Sequence, residues 1–314
     1  MPTITQLEYL VAVGRTRHFG NAARECHVSQ PSLSAQIHKV EEELNVVVFD
    51  RSMQPVKVTD RGRSVLEQAR VVLREHQRIF ELSRKGGALS GGFHLGVIPS
   101  LSPYVVPLFV ETFSIKFPGI ELKITELKTE DIIKELAEER MDAGLLVTPL
   151  HEKSLNEQPL FYEPFLAFVS ENRALINKQR VQDSDLDGSS VWLLDEGHCF
   201  RDQVIRICGR KDRNEVLKNV KFSSGSLETL INLVRRGKGY TLLPWLATLH
   251  LTKNEKLKNL KQFTVPTPTR EVSLVTSRSV LKKEVLDALG AEIRNSIPAA
   301  LREMQGEKNE VIDI

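Results

Sequence analysis

The chain has 314 residues, 41% of them hydrophobic and 27% charged, with a formal net charge of +2. That length allows two or three domains, and the composition suits a chain with a packed core. No run of about eighteen apolar residues occurs, which excludes an obvious membrane-spanning helix, and the small net charge leaves any nucleic-acid role to be argued from pattern. Residues 1–65 hold eight Lys/Arg against seven Asp/Glu, so the same holds locally. Met1 to Thr5 lacks a basic stretch followed by an apolar one, so no secretory leader and a cytoplasmic location are expected. Cys26, Cys199 and Cys208 are an odd, sparse set, which points to free thiols and away from a disulfide scaffold.

Thr5-Gln6-Leu7-Glu8 has the form of a capping box, with Ile4 as a staple before it. Leu7, Leu10, Val11 and Ala12 then recur at helical spacing. A second helix is predicted over Phe19–Cys26, with Phe19, Ala22 and Ala23 facing inward and His27-Val28 as the turn. Ser29 or Gln30 caps a third helix, whose first turn accommodates Pro31. Leu33, Ile37, Val40 and Leu44 form its buried stripe. Gln30, Ser32, Ser34, Gln36, His38 and Lys39 form its exposed face, and short polar side chains there suit major-groove reading. Residues 46–51 and 56–58 read as two short strands of a wing, with Arg51 and Lys57 suited to phosphate contact. By pattern alone, a three-helix bundle with no DNA role fits equally well.

The residue string is more specific than the pattern. Phe19-Gly20-Asn21-Ala22-Ala23, Val28-Ser29-Gln30-Pro31-Ser32-Leu33-Ser34, Ile37, Glu41-Glu42-Glu43-Leu44, Phe49-Asp50-Arg51 and Thr59 with Gly62 together resemble the winged helix-turn-helix of LysR-type transcription regulators. The resemblance covers most of residues 1–65 and places the helix-turn-helix proper at 18–37. It implies a double-stranded DNA operator as partner. The implied DNA-binding set is Ser29, Gln30, Pro31, Ser32, Ser34, Gln36, His38, Lys39, Arg51 and Lys57.

From Thr59 to about Lys85, Val65, Leu66, Ala69, Val72, Leu73, His76, Ile79 and Leu82 recur at threes and fours. Such a stripe packs either on its own domain or against a second copy. LysR-type regulators use this helix for dimerisation, which suits paired half-sites. Residues 86–92 are glycine-rich and read as a hinge. Beyond it, strands are predicted at Phe93–Ile98, Ile120–Glu126, Ala143–Val147, Phe165–Val169, Val191–Leu194, Tyr240–Leu243 and Val272–Thr276. Helices are predicted at Pro103–Phe117 and Ile132–Arg140, and Lys253–Lys261 reads as a solvated loop. This alternation implies an α/β domain with a mostly parallel sheet. The LysR resemblance adds two subdomains, like those of periplasmic binding proteins, joined by crossovers near residues 163 and 265. The expected organisation is a winged helix-turn-helix over 1–58 and a linker helix with hinge over 59–90. An α/β regulatory domain over 91–300 and a tail over 301–314 follow.

Gly197-His198-Cys199-Phe200-Arg201-Asp202-Gln203 follows a predicted strand, and Cys199–Cys208 looks helical with Gly209 at its end. Cys199 then lies at a helix N-terminus, where the dipole favours the thiolate, with His198 and Arg201 close by and Asp202 opposing as a charge. Nine residues of helix span about 13 Å, whereas a disulfide needs Cα atoms within roughly 7 Å. Pairing of the two cysteines therefore demands unwinding. The alternative is two buried cysteines acting as small hydrophobes.

The string around these cysteines is similar to the redox centre of the OxyR family, the hydrogen-peroxide-sensing branch of the LysR-type regulators. Leu7-Glu8-Tyr9-Leu10-Val11-Ala12, Pro103-Tyr104, Ser226-Leu227-Glu228-Thr229-Leu230 and Thr241-Leu242-Leu243-Pro244 extend the similarity over residues 1–300. The resemblance implies Cys199 as peroxidatic thiol and Cys208 as resolving thiol. It implies Ser100, Thr129, His198, Arg201 and Asp202 as thiolate support or peroxide pocket, with Ser100 where the family commonly has Thr. Hydrogen peroxide, RNA polymerase, dithiol reductants and further copies of the chain, as a dimer of dimers, are the implied partners, with no cofactor. The implied role is an activator of antioxidant genes and not an enzyme. No metal-ligand spacing or nucleotide-binding glycine pattern occurs. A LysR-type regulator of a small organic effector, with incidental cysteines, and a thiol peroxidase without DNA work are the rival readings.

Overall fold

The computed structural model describes residues 1–83, 89–170, 174–186, 191–197, 199–209, 224–237, 239–277, 282–302 and 309–313. They form two compact units, Met1–Gly87 and Ala88–Ile314.

In the first unit α1 (Ile4–Thr16), α2 (Phe19–Glu25) and α3 (Gln30–Leu44) precede a two-stranded wing, β1 (Phe49–Asp50) and β2 (Lys57–Val58), and a long α4 (Asp60–Ser83). The capping box of α1 is Thr3 with Gln6, not Thr5 with Glu8. The Thr3 N–H donates to the Gln6 side chain at 2.8 Å and the Thr3 hydroxyl accepts from the Gln6 N–H at 3.3 Å. Starting two residues earlier satisfies two orphan donors and gains backbone bonds, beginning with the Leu7 N–H to the Thr3 carbonyl. His18 caps α2 through Nδ1, which accepts from the Gly20 and Asn21 N–H groups. His27 takes a left-handed φ of 56° to turn the chain, and Ser29 caps α3. Leu10, Val13, Ala22, Leu33, Ile37 and Val40 close the small core at 0% exposure. Leu44 departs from the expected stripe and is exposed, because α3 ends there and Asn45 turns left-handed.

The wing strands are shorter than predicted. Glu41 of α3 accepts the Val48 and Phe49 N–H groups at 2.8 and 3.1 Å, so a carboxylate replaces the ladder there. The start of α4 lies so close to the wing that a Cβ on Gly62 would sit 2.3 Å from the Val48 carbonyl oxygen. Farther along α4, Leu66 and Ala69 are buried, whereas Val72 and Ile79 are exposed. The Leu82 side chain and residues 86–88 of the expected hinge lie outside the described residues.

The second unit carries β3 (Gly91–Val97), α5 (Ser102–Lys116), β4 (Ile120–Glu126), α6 (Thr129–Ala137), β5 (Ala143–Thr148), β6 (Leu155–Val169), β7 (Arg180–Val181), α7 (Cys199–Ile207) and α8 (Leu227–Arg236). β8 (Tyr240–Pro244), α9 (Lys253–Lys258), β9 (Leu260–Phe263), β10 (Thr267–Ser277), α10 (Lys283–Ser296), α11 (Ala299–Arg302) and β11 (Asn309–Val311) complete it. The sheet order is β4-β3-β5-β10-β6-β9-β7, with β11 on β10 and β8 on β6. It is mixed and not mostly parallel. β3 runs parallel to β4 and β5, but β10 runs antiparallel to both β5 and β6, and β6 antiparallel to β8 and β9. The cause is the pair of long strands. β6 pairs β10 as far as Pro164, then β8 from Phe165 and β9 from Leu166, while β10 runs back beside β6 from Thr269.

Two further expectations change. Val191–Leu194 is no strand and makes only a bridge from Val191 to Tyr240, with the Trp192 N–H bonded to the Tyr240 carbonyl at 2.8 Å. Lys253–Lys261 is α9 and part of β9 and not a loop, because Thr252 and Glu255 form a capping box that starts the helix.

Glu163 of β6 and Arg270 of β10 join the two long strands in a fully buried ion pair at 2.7 Å. Replacing Glu163 by Leu leaves the Arg270 charge without its counter-ion, which costs about 3–5 kcal/mol. Chemical denaturation of Glu163→Leu is expected to show an early transition for residues 88–314 and an unchanged one for residues 1–87. Coincident curves for variant and parent would contradict it.

Candidate functional site

Cys199 is the first residue of α7, and Gly197 before it has a φ of +80°. Lys128, next to the start of α6, fixes this approach by donating from Nζ to the Glu196 carbonyl at 2.8 Å. Two helix N-termini therefore meet, and the Thr129 side chain hydrogen-bonds the Cys199 sulfur.

Cys199 is partly exposed, yet burial pushes its thiol up. The Thr129 hydrogen bond, the Arg270 charge and the Phe200 N–H act in the opposite direction, and Asp202 adds to the rise. The net direction is upward, which corrects the expected low thiol value. The helix dipole and the nearby cations do not outweigh desolvation in the reduced fold.

Arg270 organises this region. Its Nη1 donates to the Ser100 hydroxyl at 3.0 Å and its Nη2 to the Ser100 carbonyl at 3.2 Å. Its guanidinium lies 5.7 Å from the centre of the Phe200 ring. Glu163 holds it from the other side and also accepts the Leu246 N–H at 2.6 Å. Sequence reasoning missed both residues. The available signal was a charge of each sign, Glu163 just before the apolar run Phe165–Val169 and Arg270 just before the strand Val272–Thr276, close to the two expected crossovers.

The predicted supporting residues are thus placed unevenly. Thr129 bonds the thiol, and Ser100, 3% exposed, reaches it through Arg270. Arg201 is buried and donates from Nη1 to the Leu194 carbonyl at 2.9 Å, so it braces the segment before the helix. Asp202 is exposed, and His198 lies outside the described residues. Cys208 lies just past the other end of α7, buried, its sulfur accepting from the Tyr240 hydroxyl at 3.5 Å. Gly209 turns left-handed immediately after it. All three cysteines are free, and one helix stands between Cys199 and Cys208. Cys26 ends α2, its thiol raised first by burial and then by Glu25.

In the first unit, Gln30, Pro31, Ser32, His38, Lys39, Arg51 and Lys57 are exposed, and Ser29 caps α3. Gln36 is tied down, its Oε1 accepting from the buried Gln6 at 2.9 Å. Arg51 is also engaged. It pairs with Glu41 at 2.9 Å, donates to the Ser34 hydroxyl at 3.1 Å and covers the Phe19 ring. Among the described residues no helix can cross a membrane and no group of side chains could hold a metal ion.

Comparison with known proteins agrees with this anatomy. Residues 4–63 match the bacterial regulatory helix-turn-helix of the lysR family, and residues 86–297 match the LysR substrate binding domain. A hydrogen peroxide-inducible genes activator of Dickeya chrysanthemi is 38% identical over 87% of this chain and 88% of its own length. A full-length OxyR of Pseudomonas aeruginosa carrying a cysteine-to-aspartate substitution superposes with a TM-score of 0.77. It has 32% identity and covers 94% of this chain and 98% of that one. A hydrogen-peroxide-bound cysteine mutant of Corynebacterium glutamicum OxyR gives 0.60 at 27% identity, over 94% and 92% of the two chains. The chain belongs to the LysR family of transcription regulators, and its relatives at 35–38% identity include hydrogen peroxide-inducible genes activators of the OxyR kind.

Proposed function

We propose that this chain is a DNA-binding transcription regulator that senses hydrogen peroxide through a reversible Cys199–Cys208 disulfide. The observation that carries the reading is a Thr129-bonded thiol beside a fixed Arg270 charge, with a second free thiol at the far end of the same helix.

The Cys199 thiolate attacks one peroxide oxygen and the O–O bond breaks. The departing hydroxide takes a proton and leaves as water, and the sulfur becomes a sulfenic acid. The Cys208 sulfur then attacks the Cys199 sulfur and expels a second water. Two thiols lose two electrons and one peroxide becomes two waters. The thiolate is stabilised by Thr129 and by Arg270, which Ser100 helps to position; Arg201 on α7 braces the segment before the helix, Asp202 opposes the thiolate as a charge, and His198 passes the proton to the leaving oxygen. Because helix keeps the two Cα atoms roughly 13 Å apart, closing the bond unwinds α7. The disulfide contributes on the order of 2–3 kcal/mol by closing a ten-residue loop. Dithiol reductants reverse it. One turnover yields one signal, so the chemistry is stoichiometric and the protein is not an enzyme.

On DNA, α3 offers Gln30, Ser32, His38 and Lys39 to base edges of an operator, with Ser29 and Pro31 setting its start. Lys57 touches phosphate, and Arg51, Ser34 and Gln36, held by their bonds to Glu41, to one another and to Gln6, complete the DNA-facing surface. The exposed Val72 and Ile79 of α4 pair with a second copy, and dimers assemble in pairs. The refolded segment changes the spacing of recognition helices, and RNA polymerase is recruited to antioxidant genes in the cytoplasm.

Peptide mapping by mass spectrometry after near-stoichiometric hydrogen peroxide tests the reading directly. A rapid Cys199–Cys208 linkage is expected, and two free thiols after exposure would sink it. The upward direction of the Cys199 thiol fixes a pH dependence. Little thiolate is present at neutral pH, so the rate of sulfenic acid formation rises as pH rises toward and past the ordinary thiol range. Thr129→Val removes a bond that lowers the thiol. Each unit of further rise cuts the neutral-pH thiolate about tenfold. Stopped-flow measurement should find a slower variant at neutral pH that recovers in alkali, and a flat pH profile would refute the assignment. Finally, Lys57→Ala should weaken DNA binding evenly across sequences and reduce the salt slope by about one; loss confined to one operator sequence would point to base reading instead.

A further inference from the structure

We infer that β11 is a release element of the redox switch, clamped to α7 while the cysteines are reduced and freed when they pair. The inference rests on the disulfide reading above.

β11 lies parallel to the start of β10, with Asn309, Glu310 and Val311 opposite Thr267, Pro268 and Thr269. The ladder is thin, since Pro268 has no N–H to give. Just beyond the strand, the Ile312 N–H donates to the Thr269 carbonyl at 2.8 Å. The Ile312 carbonyl accepts from the Gln203 side-chain amide at 2.7 Å. Ile312 also packs against the large core. Gln203 is fully buried on α7, and its Oε1 has no partner among the described residues. The amide is thus held in place by the bond it gives to Ile312.

The position of Gln203 supplies the coupling. It is four residues after Cys199 and five before Cys208, near the middle of the segment that must refold. Bringing the cysteines from roughly 13 Å to within about 7 Å cannot leave Gln203 where it is. Its bond to Ile312 is lost, and a three-residue strand on one neighbour is too short to hold by itself. Because the Gln203–Ile312 bond must break before the cysteines can meet, the docked strand also slows closure of the disulfide.

The test is hydrogen exchange of the full chain read by mass spectrometry. The Ile312 amide should be protected when the cysteines are reduced and exchange about tenfold faster or more once Cys199–Cys208 is closed. In Cys208→Ser, peroxide stops at the sulfenic acid, and this amide should stay protected. Gln203→Leu keeps a good helix former but drops the anchor. It should close the disulfide severalfold faster after an unchanged first step. Equal protection in the reduced and disulfide forms would overturn the inference and leave the peroxide reading standing, as would an unchanged closure rate in Gln203→Leu. Failure of any Cys199–Cys208 bond to form would overturn both.

Discussion

The buried Arg270–Glu163 pair holds the regulatory unit together. Both side chains are 0–1% exposed, and taking two charges out of water is costly unless every polar atom is engaged. Glu163 meets this by binding Arg270 with one oxygen and the Leu246 N–H with the other, and Arg270 by reaching both polar oxygens of Ser100. Through these bonds one pair ties the two long strands, β6 and β10, to the turn after β3 and to the turn after β8. The same guanidinium faces Phe200, the second residue of the redox helix, and its charge acts on the Cys199 thiol. The join between the two long strands and the environment of the thiol therefore share one ion pair.

The redox helix is held by its apolar face. Phe200, Val204 and Ile207 are 1–3% exposed, and Phe200 packs on Phe165 of β6 at 5.5 Å. Burial of each such side chain is worth about 1.5–3 kcal/mol, together more than the loop-closure term of a ten-residue disulfide. In the proposed switch the reduced helix is the resting state, unfolding it draws on the driving force of peroxide reduction, and the same burial restores the helix once the bond is reduced. The raised thiol belongs to this balance: the packing that keeps the helix in place also keeps water from the sulfur.

In the DNA-binding unit, polar groups do structural work at the reading surface. Glu41 takes two wing N–H groups with one oxygen and Arg51 with the other. Arg51 extends to Ser34 and lies over Phe19, so it links α2, α3 and the wing. Arg51, which the sequence suits to phosphate contact, is exposed and also braces α3 against the wing. Gln6 and Gln36 make a second such link between α1 and α3.

The sequence by itself determined the element types in most places, because periodicity, caps and punctuating residues act locally. Ser29 with Pro31, the turn at His27 and the stripe of Leu33, Ile37 and Val40 were all legible, as was Cys199 at the start of a helix and Cys208 at its end. The family string carried the two-subdomain architecture, which no period of two or 3.6 encodes. The cap of α1 is expected at Thr5 and lies at Thr3, because each threonine has a Gln or Glu three residues on and the local pattern does not separate the two. Tertiary structure alone decided the rest. Val191–Leu194 failed to become a strand because its partner, Tyr240, meets it at a single bridge. The sheet became mixed because two long strands return through both subdomains. Arg270 and Glu163 became the pivot of the site although 107 residues separate them, and the thiol rose because burial outweighed the cations around it. Desolvation and long-range pairing depend on which distant segments meet, and no window of neighbouring residues contains that information.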